Sequence, residues 1–165
     1  MPLQLYKIAS SELTATASTV TFSSIPSGYT NLKVVISARK DDTSANIRWT
    51  INGTSTNYSE RMVYNSDGTA YSTSAASGYL QFLYATTSNQ TANTFNNAEI
   101  YIPNYTSSNN KSISTDCVQE NNGTSIVQNL AASLWSNSAA ITSLSFGVAS
   151  GNFVSGSTFT LYGIL

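Results

Sequence analysis

The chain contains no histidine, one cysteine and three prolines in 165 residues, with only seven basic and eight acidic side chains. Each shortage removes chemistry. Without histidine there is no Ser-His-Asp or Cys-His nucleophile, no imidazole base and no imidazole-bound metal. With Cys117 alone, neither an intrachain disulfide nor a zinc ribbon is available. Charged residues make up 9% of the chain, against roughly 25% in an ordinary globular domain. A net charge of −1 with no basic run supplies no electrostatic footprint for nucleic acid. No stretch approaches the ~18 consecutive apolar residues of a membrane helix. The segment from Met1 to Glu12 lacks the apolar core of a signal peptide. The expectation is cytoplasmic synthesis, no membrane insertion and no cofactor.

What the chain has is Ser, Thr and Asn, together about 40% of it, and ten tyrosines. Leu, Ile, Val and Phe reach about 22%, just above the level associated with disorder, and the low net charge also argues for folding. A chain of this size buries roughly 70% of its unfolded surface in one core, so one compact domain is expected.

Period-2 alternation dominates. Leu32, Val34, Ile36 and Ala38 share one face, as do Ile47, Trp49 and Ile51. The same pattern recurs over 98–102, 144–148 and 159–161, and more weakly over 3–8, 19–22, 61–64, 79–84 and 112–118. Asn52-Gly53, Asp67-Gly68 and Asn122-Gly123 supply tight-turn chemistry between runs. The prediction is all-β: an antiparallel sandwich of about eight to ten strands. Residues 125–135 carry apolar side chains at helical spacing, with Ser125 placed as an N-cap. The hairpin signal Asn122-Gly123 favours strand, and helix is the competing reading. The small, polar segment 65–77 reads as a long exposed loop.

Among the carboxylates, Glu99 and Asp116 sit in expected strands and are the best candidates for an acid/base pair, although solvent-face charges are the plainer reading. Asp41-Asp42 and the segment 65–68 lack the regular ligand spacing of a calcium loop. Six Asn-X-Ser/Thr triplets are about what seventeen asparagines produce by chance. Cys117 reads as a small buried hydrophobe. Tyr58, Tyr64, Tyr71, Tyr79 and Tyr105 are candidate contact residues, because tyrosine combines apolar area with a polar tip. Leu3, Leu5, Tyr6 and Ile8 either pair with a neighbouring molecule's sheet edge or form an ordinary first strand.

The run from Thr19 to Leu32 (TVTFSSIPSGYTNL) resembles an N-terminal signature of tailed-bacteriophage virion proteins. Ala98–Tyr105 is similar to that family's central strand, Leu134–Leu144 to a later one, and Gly151–Ile164 to its closing strand. The resemblance spans roughly residues 18–165, behind a lead of residues 1–17, and is strongest for phages of cyanobacteria and other aquatic hosts. It implies a jelly-roll β-sandwich without catalysis, made in the host cytoplasm and residing in the virion. It supplies no catalytic or metal residues. The short lead favours a capsid decoration or cement protein, bound in many copies as homotrimers to the major capsid protein. The alternative is a tail or fibre adhesion module that binds host surface polysaccharide.

Overall fold

The computed structural model describes residues 4–66, 69–76, 78–120 and 127–165. Twelve strands form: β1 (Leu5–Glu12), β2 (Thr19–Phe22), β3 (Asn31–Ser37), β4 (Asn46–Ile51), β5 (Tyr58–Ser66), β6 (Thr69–Ala75), β7 (Leu80–Tyr84), β8 (Asn97–Ile102), β9 (Lys111–Gln119), β10 (Val127–Trp135), β11 (Leu144–Val148) and β12 (Thr158–Ile164). That exceeds the eight to ten expected, and no helix occurs among the described residues. Leu3 and the turns Asp67-Gly68 and Asn122-Gly123 lie outside the described residues.

The strands make two antiparallel sheets, a β-sandwich. One runs β1-β12-β3-β8-β9-β10-β5-β6 and the other β2-β11-β4-β7. Alternating apolar residues explain the assembly. Leu32, Val34 and Ile36 on β3 and Ile100 and Ile102 on β8 face Ile47, Trp49 and Ile51 on β4 and Leu144 and Phe146 on β11, all essentially solvent-free. Rings tie the layers together. Phe146 stacks on Trp49 at 5.8 Å within its own sheet and reaches Phe159 of β12 across the sandwich at 5.8 Å.

The lead residues do not form a separate arm. β1 pairs with β12 of the same chain from Leu5↔Ile164 to Glu12↔Thr158. Set aside two insertions, β5–β6 and β9–β10, and eight strands remain in two sheets of four, β1-β12-β3-β8 against β2-β11-β4-β7. Both insertions join the first of these sheets. They extend it as a wing, β9-β10-β5-β6, past the side of the sandwich.

The segment expected as a loop over 65–77 is therefore largely sheet: β6 pairs with β5 from Glu60↔Ala75 to Ser66↔Thr69. Its sequence hid it because six of its seven residues are exposed, so no apolar alternation marks it. Residues 127–135 are strand, and the helical spacing has a simple origin. Positions four apart share a face in a strand as well as in a helix, so Leu130 and Leu134 fall on one face and Val127, Ala131 and Trp135 on the other.

The Asn52-Gly53 turn forms with both residues at positive φ (51° and 64°), and Thr54 N donates to Ile51 O. The Asn52 side chain then holds the approach to β11. Its Oδ1 accepts from Thr142 N and Ser143 N, and its Nδ2 donates to Ala140 O.

Candidate functional site

The wing's inner face covers β7, the last strand of the smaller sheet. A sheet edge buried without partners would leave polar backbone groups stranded. Here side chains take the place of a neighbouring strand. The Glu60 carboxylate accepts from Gln81 N at 2.6 Å and also from Phe82 N. Asn129 Nδ2 donates to Phe82 O at 3.1 Å, and Cys117 Sγ donates to Tyr84 O at 3.2 Å. Ser133 Oγ braces Glu60 at 2.9 Å. This accounts for the polar inward positions of β5 and β10, where Glu60, Asn129 and Ser133 are all under 5% exposed. Met62, Ala131 and Phe82 fill the remaining space.

Burial pushes the Glu60 carboxyl up from its ordinary 4.5, and the hydrogen bonds from Gln81, Ser133 and Phe82 oppose this only in part. Burial likewise raises the Cys117 thiol, opposed only in part by the hydrogen bond that Asn96 Nδ2 donates to Sγ, and lifts the Tyr84 phenol to about 12, helped by neighbouring Tyr64, Cys117 and Glu60. Cys117 is thus the buried residue the sequence suggested, placed as an edge seal.

With polar groups turned inward, apolar ones turn out. The wing's outer face exposes Val63 (59%), Leu130 (57%) and Val118 (36%). Val63 and Leu130 stand directly opposite each other across β5 and β10. Around them the curved face forms a trough. Its largest section, about 710 Å³, is lined by Val63, Leu130, Val118, Tyr71, Gln128 and Asp116. A second section of about 680 Å³ shares Val63 and Leu130 and continues past Arg61 and Ser114. The third, about 470 Å³, runs on to Leu134. Val63 and Leu130 thus set an aliphatic pair on a solvent-facing sheet, a candidate interaction surface. Sequence reasoning missed them because Met62-Val63 is an unalternated apolar pair whose facing is ambiguous.

The expected contact residues scatter. Tyr58 and Tyr105 are core, not surface. Tyr58 Oη accepts from Ile51 N at 2.8 Å, and Tyr105 Oη donates to Pro26 O. Each hydroxyl satisfies backbone groups that a phenylalanine would strand. Tyr79 is half-buried beneath the Arg48 guanidinium, 4.4 Å from its ring centre. Only Tyr64 and Tyr71 meet, stacked at 5.0 Å across β5 and β6 at the trough's end, with Tyr71 exposed. On β1, Leu5 and Tyr6 are exposed, and Tyr6 packs its ring 5.8 Å from Tyr29. Ile8 instead packs half-buried against the chain's own core.

Glu99 and Asp116 are brought together, opposite each other on β8 and β9. Both are exposed on the open outer face, and Lys33 Nζ lies 2.8 Å from Glu99. This is the arrangement of a surface ion pair; a general acid is ordinarily kept protonated by burial. Asp41 accepts from Asn152 N and Nδ2, while Asp42 pairs with buried Lys40 and accepts from Ser150. Both carboxylates thus bind a turn around Gly151, whose φ of +65° and lack of a side chain let Asp41 and Asp42 approach. Among the described residues no cluster of three His, Cys, Asp or Glu groups forms.

Compared with family models, with curated proteins and with solved structures, the chain matches none.

Proposed function

We propose that this chain is a non-enzymatic structural protein of a tailed-bacteriophage particle, a decoration protein held in many copies on the head and partnered by the major capsid protein. The observation that carries the reading is the trough. An exposed, uncharged aliphatic centre at Val63, Leu130 and Val118 suits attachment to another protein surface. Fully burying Val63 and Leu130 would contribute about 1.5–3 kcal/mol each, and many weak copies on a lattice hold together better than one. The resemblance in the strand signatures supports the phage assignment. The strand order also supports the jelly-roll reading. Renumbered without the insertions, the sheets run 1-8-3-6 and 2-7-4-5, the interleaving that two Greek keys produce.

The test is fractionation of particles from the virus that encodes the chain. The protein should sediment with assembled heads in many copies and appear in the head shell by cryo-electron microscopy. Replacing Val63 and Leu130 together by Glu should release it without unfolding it. A wild-type protein found only in the soluble fraction refutes the proposal.

A second reading, a tail adhesion module for host polysaccharide, draws on one feature. The exposed Tyr71 ring stands at the trough's end with Gln128 in the same lining, an aromatic surface beside an amide. Binding of host polysaccharide by the wild type, abolished by Tyr71→Ala, would favour it.

A further inference from the structure

Four strands end a sheet: β1 and β6 on the larger, β2 and β7 on the smaller. An open edge offers backbone donors and acceptors to any passing strand, and proteins guard it with charge, a bulge, shortness or a cover. Three of the four are guarded. β7 lies under the wing, with its backbone groups taken by Glu60, Asn129 and Cys117. β2 is only four residues long. β1 breaks register between Lys7 and Ala9 and carries Lys7 and Glu12. β6 is unguarded. It has seven residues, TAYSTSA, with no charge, no proline and unbroken register against β5. Among the described residues β5 is its only sheet neighbour.

We propose that β6 is a self-recognition edge, through which two copies of the chain pair antiparallel about a two-fold axis at Ser72. Three observations select a second copy as the occupant. First, a two-fold axis sets each residue against its own mirror position, so one charge near the centre would repel its twin. All seven residues of β6 are uncharged, a condition that a foreign strand would not require. Second, the pairing is self-complementary. Ser72 faces Ser72, Ala70 faces Ser74, Thr69 faces Ala75, and Tyr71 faces Thr73. The last is an aromatic against a β-branched side chain, a favourable cross-strand pair.

Third, the axis continues the apolar surface already described. Val63 lies opposite both Ser72 and Leu130, so these three share one row of the outer face. An axis perpendicular to the sheet keeps both outer faces on the same side. The row then reads Leu130, Val63, Ser72, Ser72, Val63, Leu130, and spans five strand spacings, about 24 Å. Two troughs become one surface on a continuous sixteen-stranded sheet. Such a contact closes at two copies, in place of the three expected from the family resemblance. The proposal does not rest on the particle reading.

The experiment measures the mass of the purified chain by sedimentation over a wide concentration range, with variants at exposed β6 positions. The wild type should form a dimer. Ser72→Lys should shift it to monomer while leaving the melting transition in place, and mixing Ser72→Lys with Ser72→Glu should restore a mixed dimer. Register is read by crosslinking. Ser72→Cys should form a disulfide with itself under mild oxidation. Ala70→Cys should do so only when mixed with Ser74→Cys. A wild type monomeric at every concentration overturns the proposal. So does an oligomer of any size that Ser72→Lys leaves intact, or self-crosslinking of Ala70→Cys as efficient as that of Ser72→Cys.

Discussion

Glu60 offers the sharpest test of how the wing is held. Its carboxylate is 3% exposed and its partners are neutral donors: Gln81 N at 2.6 Å, Ser133 Oγ at 2.9 Å and Phe82 N. Glu60→Ala removes the acceptor and leaves buried N–H groups on β7 without a partner. At about 1–3 kcal/mol for each stranded group, partly offset by entering water, the expected loss is about 2–4 kcal/mol. Glu60→Gln behaves differently. The amide oxygen accepts from Gln81, and the amide nitrogen donates to Ser133, whose hydroxyl turns to accept. The geometry survives and the buried charge disappears. The sign of the pH effect follows from the raised carboxyl. The folded chain holds this proton at a pH where the unfolded chain has released it. Its stabilising contribution is therefore complete below the unfolded value of 4.5 and is lost as pH rises through the higher folded value. The stability of Glu60→Gln relative to the wild type should rise with pH over that window and then level off. Urea unfolding of the three proteins from pH 4 to 8, with constant m-values, measures this. The reasoning fails if Glu60→Gln loses as much stability as Glu60→Ala at neutral pH, or if its difference from the wild type does not change with pH.

Three further outcomes are expected. Lys111 Nζ is buried against Ser107 O at 2.8 Å, Asn109 O at 2.5 Å and Asn137 O at 3.3 Å, so Lys111→Met should lose about 2–4 kcal/mol by thermal unfolding. Tyr58→Phe strands Ile51 N and should cost about 1–2 kcal/mol without altering the circular dichroism spectrum. Cys117, buried and with its thiol pushed up, should resist thiol reagents in the native chain and react at once after denaturation.

Much of the sandwich was legible because its strands bury one face only. The alternations at 32–38, 47–51 and 98–102 place Leu32, Val34, Ile36, Ala38, Ile47, Trp49, Ile51, Ala98, Ile100 and Ile102 in the core, as read. The wing was not legible, because it obeys a different rule. Its inward face serves the backbone of β7, so Asn129 and Ser133 point in and Leu130 points out, reversing the usual polarity. An inversion of this kind shows only when the covered edge is known. The tyrosines misled for a related reason. A hydroxyl that bonds a buried carbonyl or amide makes Tyr58 and Tyr105 core residues despite their polar tips.

The cover over β7 has a consequence for safety as well as shape. Leu80-Gln81-Phe82-Leu83-Tyr84 is apolar, uncharged and free of proline and glycine, the composition that stacks readily into cross-β aggregates. No gatekeeper charge lies within the segment itself. The gatekeepers stand on other strands, as Glu60 and Asn129, and they act only while the wing is closed. A brief local opening that lifts the wing would therefore expose a sticky segment well before the sandwich melted. Storage life, more than melting temperature, should follow how tightly the wing stays shut.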